Sequence, residues 1–550
     1  MRTRLLLTLT SALGIAGLAM PAAAAAPKRP NFLIIVADDL GYSDIGAFGG
    51  EIDTPNLDAL AKRGVKLTGF HTAPTCSPTR SMLLSGTDNH RAGLGTMAEL
   101  TAPNQRGKPG FEGYLRPGVA SLAEVLGANG YRTILSGKWH LGVTPEQDPS
   151  ARGFQHSFTL LQGGHNHFGL NASADPIKGA TYRENGTTLP GVPDNFYSSD
   201  YFATKLVQYL GETRAGSDGD KPFLAYLAFT APHWPLQAPK ADIEKYRGRY
   251  DAGFEVLRER RLKRQVELGL IDRTTAAHPP VLKKGWADLT AEEKKTAARD
   301  MEIYAAMVDR LDKNVGRVVA ELKRTGEYDN TVILFLADNG AEGLDIAHSE
   351  MVGINKLDDD ADNSFDNRGA GTSYISYGPG WAQAATAPSY LYKAYATEGG
   401  TRAVSFLGYN RFKRSGSVSN AFLSVADVVP TFLELAGVPD HKGSFNGRAV
   451  EPIRGKSWVS YLNGSTDRVY GENDAVGTEL FGSRAIRQGD WKITDTGTGT
   501  WQLFNIARDP GETRDLAAAE PARLQALTAE WDKYASDVGV IIPAIRIYQP

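Results

Sequence analysis

Three features of the chain predict an α/β fold: a large, mostly parallel sheet sandwiched by helices, followed by a smaller C-terminal antiparallel sheet with a helix. First, continuous apolar runs occur at 31–37, 223–230 and 331–337, with a weaker fourth at 131–136. None alternates, as expected of strands covered on both faces. Second, these runs are separated by segments with apolar residues at three- and four-residue spacing, so strands and amphipathic helices alternate along the chain. Third, the character shifts after Gly437-Val438-Pro439 to alternating strands and one amphipathic helix. The expected organisation is a leader at 1–26, a main domain at 27–440 and a smaller α+β domain at 441–550.

In chain order, Met1-Arg2-Thr3-Arg4 precedes an apolar stretch and a string of alanines ending at Ala26. That is the pattern of a cleavable secretory signal peptide, which predicts an exported protein, periplasmic or secreted. The strand at 31–37 ends at Asp38-Asp39, and a helix is predicted at 56–63. A second helix at 119–129 leads into the strand at 131–136, which is followed by Gly137-Lys138-Trp139-His140. A helix at 199–211 precedes the strand at 223–230, which is followed by Ala231-Pro232-His233-Trp234. The charged segment 241–268, with Arg258-Glu259-Arg260-Arg261, is predicted to be one helical segment with a solvated face. A helix at 299–326 leads to the strand at 331–337, which ends at Asp338-Asn339-Gly340. Strands at 483–493 and 500–506 and a helix at 521–534 make up the smaller domain. Two long Gly-, Asn-, Asp- and Ser-rich stretches, 163–200 and 341–389, are expected to shape a pocket mouth.

Net charge is −3 and the basic residues are dispersed. A nucleic-acid partner is not expected, because it needs a concentrated basic footprint. No later stretch approaches the roughly 18 apolar residues that span a bilayer, and stable membrane association is not expected. No strong assembly element stands out, so a monomer is expected.

Four apolar strands ending in polar residues place candidate chemistry along one sheet edge, where ligands bind in such folds. Asp38, Asp39, Asp338 and Asn339 offer only oxygen donors, which suit a hard cation, calcium first and magnesium second. His140 and His233 follow strands toward the same edge and could serve as acid and base or as structural histidines. The single cysteine, Cys76, lies in Cys76-Ser77-Pro78-Thr79-Arg80. An unpaired cysteine in an exported chain is either a small buried hydrophobe or chemically committed.

Together these residues resemble the type I sulfatase family, most closely its bacterial arylsulfatases, within the alkaline phosphatase-like fold. The resemblance rests on Asp38-Asp39-Leu40-Gly41, Thr54-Pro55-Asn56-Leu57-Asp58, the Cys76 motif, Gly137-Lys138-Trp139-His140-Leu141-Gly142, Pro232-His233, Asp338-Asn339-Gly340, and Lys393 ahead of Glu398-Gly399-Gly400-Thr401-Arg402. It implies hydrolysis of sulfate esters, most simply aryl sulfates. It implies that a separate formylglycine-generating enzyme converts Cys76 to formylglycine (3-oxoalanine), whose hydrate supplies one hydroxyl to attack and one to collapse. Asp38, Asp39, Asp338 and Asn339 would bind calcium, with magnesium as the alternative, and the modified Cys76 would approach the metal. Arg80 would steady the hydrate, Lys138 and Lys393 would hold the sulfate, His233 would protonate the leaving group, and His140 would take the proton that lets sulfate depart. Two alternatives stay open: a phosphonate or phosphate ester hydrolase on the same fold, and a non-catalytic calcium-stabilised binding protein. Trp139, Phe168, Trp234 and Tyr392 are candidate walls for an aryl ring.

Overall fold

The computed structural model describes residues 28–169, 180–215, 219–348 and 361–545. The leader expected at 1–26 lies outside the described residues, as do parts of both long Gly-rich stretches. A ten-stranded sheet runs in the order Val418–Ser419, Val65–Leu67, Ser405–Gly408, Thr331–Ala337, Asn31–Ala37, Phe223–Ala228, Arg132–Lys138, His156–Leu160, Tyr182–Glu184, Thr187–Thr188. The four predicted strands are its centre. Asn31–Ala37 pairs in parallel with Phe223–Ala228 on one side and with Thr331–Ala337 on the other. Every residue of Asn31–Ala37 and of these two partners is buried, which is why their sequences are unbroken in hydrophobicity.

Register is what builds the site. Ala37 pairs with Ala337, so Asp38 and Asp338 leave neighbouring strands side by side, about 5 Å apart across the ladder. Arg132–Lys138 lies parallel to the other flank of Phe223–Ala228 and delivers Lys138 to the same edge.

Helices cover both faces. The helix Ala291–Arg324 starts well before the predicted residue 299, because Thr290 and Glu293 form a capping box that satisfies the first orphan N–H groups. Likewise Ser121 and Glu124 box the start of Leu122–Ala128, trimming the helix predicted at 119–129. The single helical segment predicted at 241–268 is two helices, Lys240–Glu244 and Phe254–Glu267. Gly253 separates them at φ 88°, and a Cβ there would lie 2.4 Å from the Trp286 ring. Its face is not uniformly solvated either: Arg261 is buried and donates to Glu51 and Asp44, a pairing with distant acids that local charge pattern does not reveal.

The C-terminal sheet has four antiparallel strands, Ala475–Leu480, Ser483–Gln488, Trp491–Asp495 and Gln502–Asn505. The strand predicted at 483–493 is therefore a hairpin turning at Gly489-Asp490. Pro521–Val538 packs on this sheet around a separate small core of Ile486, Ile493, Leu503, Leu527 and Trp531. Val450, Trp458 and Leu462 belong instead to the large core. No helix among the described residues is long and apolar enough to cross a membrane.

Candidate active site

Cys76 is the first residue of the buried helix Cys76–Ser85, and Arg80 lies one turn later on the same face. The positive end of that helix therefore meets the strand ends. Cys76 Sγ is 3.9 Å from Asp39 Oδ1. Burial pushes its thiol well above the ordinary value, with Lys138 and Lys393 acting the other way, so the unmodified group is a weak nucleophile.

Arg80 donates from Nε (3.0 Å) and Nη2 (2.7 Å) to Asp338 Oδ2, and from Nη1 to the Lys138 carbonyl at 3.2 Å. Lys138 Nζ donates to Asp38 Oδ2 at 2.7 Å. Lys393 Nζ is held between Asp39 Oδ2 at 2.8 Å and Glu342 Oε2 at 2.9 Å. Asp39 sits at φ 65°, a left-handed turn that aims its carboxyl across the strand ends. There it receives Asn339 Nδ2 at 2.7 Å, and His233 Nε2 lies 3.5 Å away. Burial alone would lift the Asp39 carboxyl, but Lys393, His233 and Lys138 hold it down at about 2. Burial and the neighbouring Asp38 raise Asp338 to about 6. Burial lowers His233 to about 4, leaving it neutral near pH 7.

The residues present fit a hard cation. One ligand atom from each of Asp38, Asp39, Cys76 and Asp338 lies within 4.8 Å of the others. Asp38 Oδ1 and Asn339 Oδ1 are buried without a hydrogen-bond donor, two oxygen acceptors left over where buried acceptors are normally satisfied. The donors are oxygen-rich, as calcium or magnesium requires.

Every predicted site residue except His140 is joined to this cluster by a hydrogen bond or ion pair. His140, at φ 58°, places Nε2 3.0 Å from Glu99 Oε1 and leaves Nδ1 buried without a partner. Sequence reasoning missed Glu99 and Glu342. Glu99 lies in the short turn Ala98–Leu100, with no local signal linking it to His140; Glu342 stands three residues after Asn339, where a strand-end reading could have reached it. Of the aromatic residues proposed as ring walls, Trp139 and Tyr392 are sealed in the core and Phe168 packs edge-on against Tyr197. Trp234 does border a small void beside Asp39 and Glu342. His71 is bonded to Glu398 and the Gly69 carbonyl, His165 to Tyr182, and His167 to Ser198 and the His233 carbonyl.

A cation site, a nucleophile position and sulfate-sized basic groups at the strand ends define a hydrolase of the alkaline phosphatase-like class. The Sulfatase family model matches residues 30–438, and the chain belongs to that family. It is 48% identical over 530 residues to an uncharacterized sulfatase of Schizosaccharomyces pombe, covering 94% of this chain and 95% of the relative. It is 38% identical to an arylsulfatase of Klebsiella aerogenes, covering 80% of this chain and 93% of the relative. Among solved structures, Ps i-CgsB in complex with k-i-k-neocarrahexaose has a TM-score of 0.65 at 24% identity, covering 95% of this chain and 96% of that one, a likeness of fold. Membership makes the protein a sulfuric ester hydrolase and implies formylglycine and a divalent metal.

Proposed function

We propose that the protein is an exported, monomeric arylsulfatase whose Cys76 is converted to formylglycine by a separate modifying enzyme and whose metal is calcium. The observation that carries this reading is the charge balance around Cys76. Asp38, Asp39, Asp338 and Glu342 face Arg80, Lys138 and Lys393 in one buried cluster. Four carboxylates against three cations leave one negative charge, and a bound divalent cation reverses it to one positive. That excess matches the single charge of a sulfate monoester better than the double charge of a phosphate monoester.

Asp38, Asp39, Asp338 and Asn339 would hold the cation, which when bound supplies Lewis-acid polarisation of ester oxygens. Lys138 and Lys393 bind and orient the sulfate by charge, and Arg80 fixes the nucleophile's position relative to Asp338. His233 holds Nε2 toward the cluster and would deliver a proton to the leaving oxygen. His140, tied to Glu99, would accept one. The buried surroundings exclude water and strengthen each of these interactions.

The test is the peptide mass around Cys76 in protein from its own host, with turnover of a chromogenic aryl sulfate. Formylglycine appears as a loss of about 18 Da. Modified protein that releases no sulfate from any aryl ester, yet cleaves phosphonate or phosphate diesters, overturns the assignment in favour of phosphorus chemistry. An unmodified, inactive protein from a host with an active modifying enzyme points to the binding-protein alternative.

A further inference from the structure

Beside the catalytic cluster, on the same sheet edge, lies a cleft of about 1090 Å³ between the two sheets. Its floor includes Thr68 and Gly69, which follow the strand Val65–Leu67, and Asn420 and Ala421, which follow Val418–Ser419. Val65–Leu67 runs parallel to Thr331–Ala337 and is separated from it by one strand. The cleft therefore opens about 10 Å to the side of the Asp338 strand end. The turn Glu398–Thr401 divides the two sites. On one side the Gly400 carbonyl accepts from Gly340, next to Asn339; on the other, Glu398 lines the cleft and accepts from His71 and Lys492.

The cleft gathers guanidinium groups that have no hydrogen-bonded carboxylate among the described residues. Arg402, in the Glu398–Arg402 motif that the catalytic reading leaves without a role, is 7% exposed. Its Nε donates to the Thr68 carbonyl and Nη2 to Tyr42, while Nη1 has no acceptor. Arg487 is half-buried and lies 4.6 Å from the Phe422 ring centroid; its Nε donates to the Gly489 carbonyl, and both Nη groups are unpaired. At the rim, the Arg523 guanidinium lies over the Trp491 ring, 4.3 Å from its centroid, and Arg508 has no side-chain partner among the described residues. Guanidiniums resting on aromatic faces keep their planar N–H forks free for a bidentate oxyanion. The acids in the lining are mostly engaged: Asp474 with Lys456, Asp467 with Arg414, Glu472 with Arg468, and Asp272 with Thr274. Among the described residues Asp272 and Asp490 have no cationic hydrogen-bond partner, and Asp490 and Glu398 act on Arg487 only at longer range, against four guanidiniums.

We propose that this cleft is a second oxyanion site that takes a sulfate group between Arg402 and Arg487 on the floor and Arg508 and Arg523 at the rim. The choice of sulfate over other oxyanions rests on the sulfate ester reading of the neighbouring site. The sulfate comes either free, as released product, or on a second position of a larger sulfated substrate.

The test is a crystal of the full chain equilibrated with sodium selenate, whose selenium marks the sites by anomalous scattering. Two peaks are expected, one at Cys76 and one beside Arg487. Arg487→Met, and independently the rim substitution Arg523→Met, should remove or weaken the second peak and leave the first. Selenate at Cys76 alone overturns the cleft site; selenate in the cleft alone supports it and counts against the catalytic reading. In solution, calorimetry with a Cys76→Ala protein should show two sulfate sites, reduced to one by Arg487→Met. A disulfated disaccharide whose binding is weakened tenfold or more by Arg487→Met, where inorganic sulfate shows no second site, identifies the source as substrate. Equal loss for both identifies product.

Discussion

Removing Glu99 tests whether the proton-accepting role assigned to His140 depends on a residue outside the family motifs. Glu99 Oε1 lies 3.0 Å from His140 Nε2, and burial of the pair is incomplete, the Glu99 side chain being 52% exposed. Hydrogen bonds to charged groups contribute about 1.5–3 kcal/mol when shielded, whereas exposed ion pairs give about 0.2–1 kcal/mol. A half-exposed pair falls between, at about 1–2 kcal/mol, or a factor of about 5–30. Glu99→Ala should therefore lower kcat for an aryl sulfate by about 5–30-fold, with KM changing less than kcat because Glu99 is bonded to His140 and acts on Lys138 only at longer range. Glu99→Gln keeps the shape and one hydrogen bond and should fall between wild type and alanine. The same loop is anchored by Met97 and Leu100 against Ala394, Leu480 and Phe481, so neither substitution should move the melting temperature by more than about 2 °C. Steady-state kinetics and thermal melts on the three proteins decide it. Wild-type kcat in both variants, or a loss carried wholly by KM, refutes the orienting role.

Chelation should lower the melting temperature by about 3 °C for a cation present at a hundred times its Kd, from about 2.7 kcal/mol of linkage and about 1 kcal/mol per kelvin of unfolding entropy at this size; unchanged melting and activity after exhaustive chelation would count against the cation site. His90, buried between Asp88 (3.1 Å) and Glu479 (3.4 Å), is opposed by burial yet raised by both acids to about 9. Its contribution, ~3 kcal/mol, is complete below pH 6.5 and lost as pH rises through about 9, so the melting gap between wild type and His90→Gln should narrow across that window; a constant gap rejects it. Gly340→Ala places a Cβ 1.9 Å from the Gly399 carbonyl oxygen, which must push Asp338 and Asn339 from the Glu398–Thr401 turn. Activity should fall about a hundredfold with circular dichroism preserved, and a fully active variant would show that the two segments are not rigidly coupled.

The central strands were legible because burial on both faces leaves an unbroken apolar run, and the strand-end residues were legible because polar groups interrupt those runs abruptly. Ser405–Gly408 and the two- and three-residue strands were not, since so few residues carry no periodicity. Cys76–Ser85 was not read as a helix because nearly all of it is buried, which erases the amphipathic stripe that marks a surface helix. The partners of the site residues were hidden for a different reason. Glu99 meets His140, Glu342 meets Lys393 and Arg261 meets Asp44 only through tertiary packing, and a charged side chain in a polar segment looks the same whether it faces water or a buried counter-ion.

That distinction matters most within the catalytic cluster itself. Lys138 and Lys393 each spend their charge on an aspartate, Asp38 and Asp39, that also offers oxygens to a cation. A buried ammonium does not give up such a partner unless another positive charge takes over the carboxylate, because an uncompensated buried charge costs about 3–5 kcal/mol. On the proposed roles, the two lysines would turn toward sulfate oxygens only when the aspartates are otherwise neutralised. Occupation of the cation site and affinity for the anionic ester would then be one coupled equilibrium. Arg80 belongs to the same equilibrium, because its two bonds go to Asp338, itself one of the proposed cation ligands; only its bond to the Lys138 carbonyl is independent of which charges are bound.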